Sequence, residues 1–305
     1  MNRAAIYALP SAGHESVSVP SRKREVSENN QKSSFTTDQA AKHITRGGFR
    51  HYDRNGDNKI EVFFNIDDSF SPVQKSLIRQ ALQRWQDVAN IHFKEGAEGG
   101  DGLIKVVKNS SLAGGGAYLP NKYYNKGTPT IGTLNVPQVP SSQSGFSFVV
   151  AHELGHGIGL EHPGGYNSNK GGYAAHAEYA QDTRARSVMS YWQETNQPGH
   201  DFKWRSPIGP MMDDIAAVQA VYGANVNTRT GDTVYGFNSN TGRDDLTFKS
   251  AGDTPVLCVW DGGGNDTLDC SGFDKGQVIN LNAESFSDVG GLKGNVSIAK
   301  GVVLE

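Results

Sequence analysis

Five fixed residues inside eleven positions, His152, Glu153, His156, Gly159 and His162, constrain this 305-residue chain more than any other feature. Side chains four apart on an α-helix stand on one face, so His152 and His156 aim a ring nitrogen at a common point. A metal ion at that point gives the pair a purpose. Glu153, next to the first histidine, reaches the attacking water and serves as its general base. Gly159 ends the helix, because glycine takes the left-handed turn that other residues resist, and the chain bends to bring His162 as a third nitrogen. Three protein ligands leave one position open, which marks a catalytic zinc site and not a structural one. Five such matches arise by chance in roughly one chain in ten thousand, at about one in twenty per position. The apolar, glycine-free run at residues 146–151 supplies the buried start of the helix. Other histidines, among them His43, His92, His176 and His200, show no ligand spacing.

Around that helix the pattern is mixed. Val73, Leu77, Ala81, Leu82, Trp85 and Val88 follow Ser71 and Pro72 at helical spacing and read as a helix packing one face on the core. Residues 62–66 and 103–107 read as strands. Asp53, Asn55 and Asp57 alternate oxygens as a calcium loop does. The glycine falls two places early for an EF-hand, however, and Phe64 stands where its glutamate would be, so a polar turn is the reading. Cys258 and Cys270 permit one disulfide, but their spacing suits neither a zinc ribbon nor a redox pair; two thiols filling small core positions are expected. A net charge of −3 gives no electrostatic case for nucleic acid or an anionic membrane. No apolar run approaches the roughly 20 residues that span a bilayer. Residues 1–10 are too short and polar for a signal-peptide core, so N-terminal export is not expected. Residues 1–34, serine-rich with a basic cluster at Arg22, Lys23 and Arg24, read as a disordered or propeptide-like tail.

Downstream, Ser187, Val188, Met189, Ser190 and Tyr191 follow the zinc motif. The sequence here resembles the metzincin metalloproteases, which place a methionine-bearing turn beneath the metal. Tyr191, two residues past Met189, narrows the likeness to serralysins and astacins, where such a tyrosine is an extra zinc ligand. Trp192 and the Pro163, Gly164 pair after His162 are similar to serralysins in particular. The likeness runs over residues 35–305, through residues 35–41, 213–217, 221–225, 229–240 and 287–298. It implies an α+β fold: a metzincin catalytic domain at 35–227 and, at 228–305, the β-rich start of a calcium-binding RTX-type domain, after the tail at 1–34. It also implies a secreted, extracellular bacterial zinc metalloendopeptidase acting on protein and peptide substrates. A monomer is implied, with a proteinaceous protease inhibitor as a further partner and no nucleic-acid or membrane partner. Serralysins leave the cell through a C-terminal signal, and neither that signal nor the stacked repeats of the family's β-roll are expected in this chain.

The same resemblance implies roles for further residues. Tyr191 leaves the metal as substrate enters and donates a hydrogen bond to the oxyanion. Residues 114–120 resemble the edge strand on which serralysins align an extended substrate. The stretch 261–268 resembles one degenerate copy of the RTX calcium nonapeptide. Position by position, Arg229, Gly231, Thr233, Asp261, Gly263 and Asp266 hold one calcium, and Gly264, Asp266, Val303 and Glu305 frame a second. Two alternatives stand beside this reading: another metzincin hydrolase such as an astacin-like enzyme, and a non-enzymatic binding module that keeps the protease fold.

Overall fold

The computed structural model describes residues 32–96, 99–123, 125–167 and 171–304. Residues 1–31, which include the basic cluster, and Glu305 lie outside the described residues. The chain enters through α1 (Thr37–Ile44), whose start is set by a reciprocal capping box between Thr36 and Gln39. Strand β1 (Glu61–Ile66) alternates, with Val62 and Phe64 turned to the core. Helix α2 (Pro72–Val88) starts from a second capping box, Ser71 with Gln74, and has proline in its first turn, where a missing N–H costs nothing. Its buried face carries Leu77, Ile78, Ala81, Leu82, Trp85 and Val88.

Strands β2 (His92–Glu95), β3 (Gly102–Asn109), β4 (Gly115–Gly116), β5 (Lys126–Gly127) and β6 (Thr130–Gly132) complete a six-stranded sheet. Its order is β2-β1-β3-β6-β4, with β5 also paired to β3. All pairings are parallel except that of β4, which runs antiparallel to β6 at the edge. Only Gly115 and Gly116 of the stretch 114–120 form strand, so the edge is shorter than the resemblance implies.

Against this sheet lies α3 (Gly145–Gly157), buried on every side from Phe146 to Gly157, which is why it shows no amphipathic stripe. Trp85 of α2 donates its indole N–H to the Ala151 carbonyl at 3.2 Å, fixing the two helices together. The short α4 (Gly172–His176) and the longer α5 (Met212–Tyr222) follow, α5 packing on α1.

The C-terminal part is built from β7 (Val234–Gly236), β8 (Leu257–Val259), β9 (Thr267–Asp269), β10 (Phe286–Ser287) and β11 (Val296–Ile298). β7 pairs with β9 and β8 with β11, both in parallel, while β10 runs antiparallel to β11. Hydrophobic packing is continuous from Ala41 to Leu304. Ion pairs from α2 stitch the two parts: Arg84 with Asp245 at 2.8 Å, and Asp87 with Arg229 at 3.0 Å and Arg243 at 2.8 Å.

Three sequence expectations meet the structure here. Asp53 and Asp57 accept hydrogen bonds from the backbone of their own turn, at Gly56, Asn58 and Lys59, as a polar turn requires. Cys258 and Cys270 are free thiols, the first buried and pushed up to about 12 by burial, the second half-buried. Residues 32–35, part of which was expected in the tail, dock on the body: Lys32 donates to the carbonyls of Ala174 and Ala177, Ser33 bridges Tyr179, and Phe35 stacks on the Tyr179 ring at 4.4 Å. Among the described residues, no helix is long and apolar enough to cross a membrane.

Candidate active site

Helix α3 ends in a Schellman motif beside the third histidine. The C-cap is Ile158, the Gly159 N–H bonds the His156 carbonyl at 2.9 Å, and the Leu160 N–H bonds the Gly155 carbonyl at 2.9 Å. Gly159 sits at φ +107°, and a Cβ there would come within 2.2 Å of the Phe49 carbonyl oxygen, so only glycine fits. The turn brings His162 back over the helix. His152, His156 and His162 converge, with the Nε2 atom of His162 3.2 Å from that of His152 and 3.0 Å from that of His156. Among the described residues this is the one group of three or more His, Cys, Asp or Glu side chains arranged to hold a metal ion.

The three rings are prepared for a cation. Each Nδ1 faces a backbone carbonyl, His152 that of Val188 at 2.9 Å, His156 that of Leu160 at 2.7 Å and His162 that of Tyr166 at 3.0 Å. A carbonyl can only accept, so Nδ1 carries the proton and Nε2 presents a lone pair. Burial keeps the imidazoles neutral, lowering His156 to about 4 and His152 and His162 well below the ordinary value. Three lone pairs this close repel unless a cation lies among them. Zinc–nitrogen bonds of 2.0–2.1 Å in a tetrahedron separate nitrogens by about 3.3 Å, so the set fits zinc.

Glu153 lies beside the triad, 3% exposed. Burial raises its carboxyl well above the usual range, and its Oε2 meets no hydrogen-bond partner among the described residues. Such an orphaned acceptor is expensive in a folded core and is understandable where a water or substrate is to be met. Edge strand β4 passes directly over it: a Cβ at Gly115 would lie 2.5 Å from Glu153 Oε1. Met189 is buried beneath the helix, and a Cβ at Gly155 would approach its sulfur to 2.5 Å. The Tyr191 ring packs 4.4 Å from that of His162 and 5.7 Å from that of His152.

Several residues that shape the site carry no spacing signal in the sequence. Asp214, in the first turn of α5, accepts from Ser187 Oγ at 2.6 Å and from the Val188 N–H at 2.6 Å, and so fixes the turn that offers the Val188 carbonyl to His152. Two adjacent acids opening a largely apolar helix were the available hint. His51, fully buried, sits with Nε2 3.0 Å from the Gly157 carbonyl; burial lowers it to about 4, so the ring is neutral and donates that bond. Tyr222 donates to the Ile158 carbonyl at 2.6 Å. Both satisfy carbonyls that the end of α3 leaves open.

Elsewhere, Gly231, Thr233, Asp261, Gly263, Gly264 and Asp266 share one loop cluster. Thr233 N–H bonds Asp266 Oδ1 at 2.9 Å, Gly263 N–H bonds Asp261 Oδ1 at 2.7 Å, and a Cβ at Gly264 would lie 2.5 Å from the Gly231 oxygen and 2.9 Å from Asp266 Oδ1. Burial and the negative charges of Asp261 and Asp232 raise the Asp266 carboxyl. Arg229 turns its side chain away to Asp87 and the Trp260 carbonyl, leaving the cluster its backbone alone. Val303 is 73% exposed.

A helix bearing two histidines and a glutamate, a glycine turn to a third histidine, and a methionine turn beneath them define a metzincin-type zinc-peptidase fold. The family model described as Peptidase M10 serralysin C terminal matches residues 224–305. Metallopeptidase AprA of Pseudomonas marginalis is 46% identical over 303 residues, covering 90% of this chain and 64% of the relative. Metalloprotease AprA of Pseudomonas entomophila is 43% identical, covering 90% and 62%, and Serralysin B of Dickeya chrysanthemi is 43% identical, covering 90% and 63%. The chain is similar to serralysin-type metallopeptidases over 90% of its own length, and it spans a little under two thirds of the length of these relatives. Among solved structures, the hatching enzyme zinc-protease of Oryzias latipes aligns over 56% of this chain and 94% of its own at 16% identity and a TM-score of 0.37, too loose to place residues.

Proposed function

We propose that this chain is a zinc-dependent metalloendopeptidase that hydrolyses peptide bonds in proteins and peptides. The observation that carries the reading is the convergence of three neutral imidazoles beside the unpartnered Glu153 carboxyl, beneath an open edge strand. Zinc held by His152, His156 and His162 supplies a Lewis acid that polarises the scissile carbonyl and acidifies water. Glu153 accepts the proton of the attacking water at its free oxygen and returns it to the leaving amine. Tyr191, whose ring lies against two of the histidines, donates its phenolic proton as a hydrogen bond to the developing oxyanion, and is the residue best placed to be a fourth ligand in the resting site. Gly115 and Gly116 bind an extended peptide through backbone hydrogen bonds, and Gly115, which has no Cβ, lets this strand lie against Glu153. Along α3 toward its start, a cavity of 350 Å³ lined by Leu134, Val136, Pro137, Phe146 and Val149 receives an apolar substrate side chain.

The same proposal extends to the rest of the chain. Asp261 and Asp266, with backbone oxygens of Arg229, Gly231, Thr233, Gly263 and Gly264, hold structural calcium, the cation that relieves two buried, mutually repelling carboxylates. Val303 and Glu305 complete the set carried over from the family. Residues 35–227 are the catalytic domain and 228–305 a partial calcium-binding β domain, with residues 32–34 docked on the former. The protein acts outside the cell. Glu153→Gln tests the mechanism: it keeps one zinc per chain and lowers kcat by about three orders of magnitude or more. Wild-type turnover in the zinc-loaded variant removes Glu153 from its role.

A further inference from the structure

Asp182 is fully buried, 20 residues beyond the third histidine, and the mechanism above does not use it. Its Oδ1 accepts from the Tyr166 hydroxyl at 2.9 Å and from Ser190 Oγ at 2.7 Å, and its Oδ2 from the Trp192 indole N–H at 3.2 Å. Every neighbour presents a hydrogen, so the position asks for a group that only accepts.

The three donors flank the site from two directions. Tyr166 is tethered at both ends: its hydroxyl rests on Asp182, its carbonyl faces His162 Nδ1 at 3.0 Å, and its ring stacks on the His162 ring at 5.4 Å. Ser190 and Trp192 stand on either side of Tyr191, whose ring lies 4.4 Å from His162 and 5.0 Å from Tyr166. One carboxylate thus joins the loop that orients the third histidine to the turn that carries the tyrosine. Orientation of a ligand histidine through its second nitrogen, and of that partner in turn, governs how a metal site binds and reacts.

We propose that Asp182 is the positioning residue of the site, holding His162 and Tyr191 in register with each other through Tyr166, Ser190 and Trp192. The proposal rests on the zinc-endopeptidase reading. Asp182→Asn keeps the shape but, whichever way the amide turns, leaves at least one buried hydrogen without an acceptor.

The test compares wild type, Asp182→Asn, Tyr191→Phe and the double variant, each checked by circular dichroism. Zinc affinity is read by competition with a chromophoric chelator, and kcat and KM on a fluorogenic peptide are expressed per bound zinc. Folded Asp182→Asn should bind zinc about 10- to 100-fold more weakly and lose a similar factor in kcat, with KM within about twofold. It should cost less on the Tyr191→Phe background than on the wild type, since the two act through one group. A purely structural role lowers the melting temperature and leaves these readings unchanged in the folded protein. Wild-type zinc affinity and wild-type kcat per zinc in Asp182→Asn overturn the proposal. Should that variant fail to fold, Tyr166→Phe, which cuts one tether and keeps the carboxylate, must weaken zinc binding in the same direction, and an unchanged affinity overturns it. A wild type that binds zinc and hydrolyses nothing sinks the endopeptidase reading, while the affinity comparison still decides the place of Asp182.

Discussion

At Gly115 the chain carries a hydrogen where a methyl group would meet the Cγ and Oε1 atoms of Glu153 at 2.5 Å. Gly115→Ala introduces no backbone strain of the left-handed kind, so its effect falls on the carboxylate below. A displacement of about 1 Å in a reacting group costs about 100-fold in rate. The variant should therefore keep zinc and melting temperature and lose about that factor in kcat, and wild-type kcat from the zinc-loaded variant would refute the contact. His152 and His156 were legible in the sequence because helical periodicity brings residues four apart together, and His162 because a glycine turn follows them. Asp182, Asp214 and His51 were not, nor was the contact of Gly115 with Glu153, because the partners lie 8 to 16, 26 to 27, 106 and 38 residues away and meet only through the fold.

At the scale of elements, α3 is placed by its ends as much as by its buried length. The Schellman turn at Gly159 gives both the stop and the reversal that returns His162, and its position could be read from the sequence because glycine is the residue such a turn demands. Gly159→Ala must accept φ +107° and a clash with the Phe49 carbonyl. It should cost at least about 1–3 kcal/mol in urea unfolding and weaken zinc binding. Gly56→Ala, also at positive φ but with open space around it, serves as the comparison and should leave zinc affinity unchanged. Equal zinc affinity in the two variants would show that the turn does not set His162. Helix α2 and strands β1 and β3 were likewise legible from capping residues and periodicity. The resemblance placed an edge strand at residues 114–120, but the two-residue bounds of β4 were not legible, since pairing partners and not propensity define them.

Over the whole molecule, the core runs without interruption from the sheet around the zinc helix into the C-terminal strands, and partly buried ion pairs of Asp87 and Arg84 cross between them. Nothing in residue spacing announces that continuity, or the docking of residues 32–35 on the loop at 174–181, because both arise from contacts far apart in sequence. If the Asp261 and Asp266 cluster holds calcium, saturating calcium at about 100 times its Kd adds about 2.7 kcal/mol, or roughly 5 °C in melting temperature for a chain of this size. Asp266→Asn should lose most of that increment; a melting temperature indifferent to calcium in the wild type would contradict the assignment.

Zinc-dependent peptide hydrolysis is measured on a generic protein substrate with the purified chain in calcium, before zinc is stripped, after stripping, and after one equivalent is returned. Activity should disappear with zinc and return with it, at one zinc per chain held by His152, His156 and His162. One zinc bound per chain without hydrolysis, or hydrolysis that survives its removal, would contradict the zinc-endopeptidase reading.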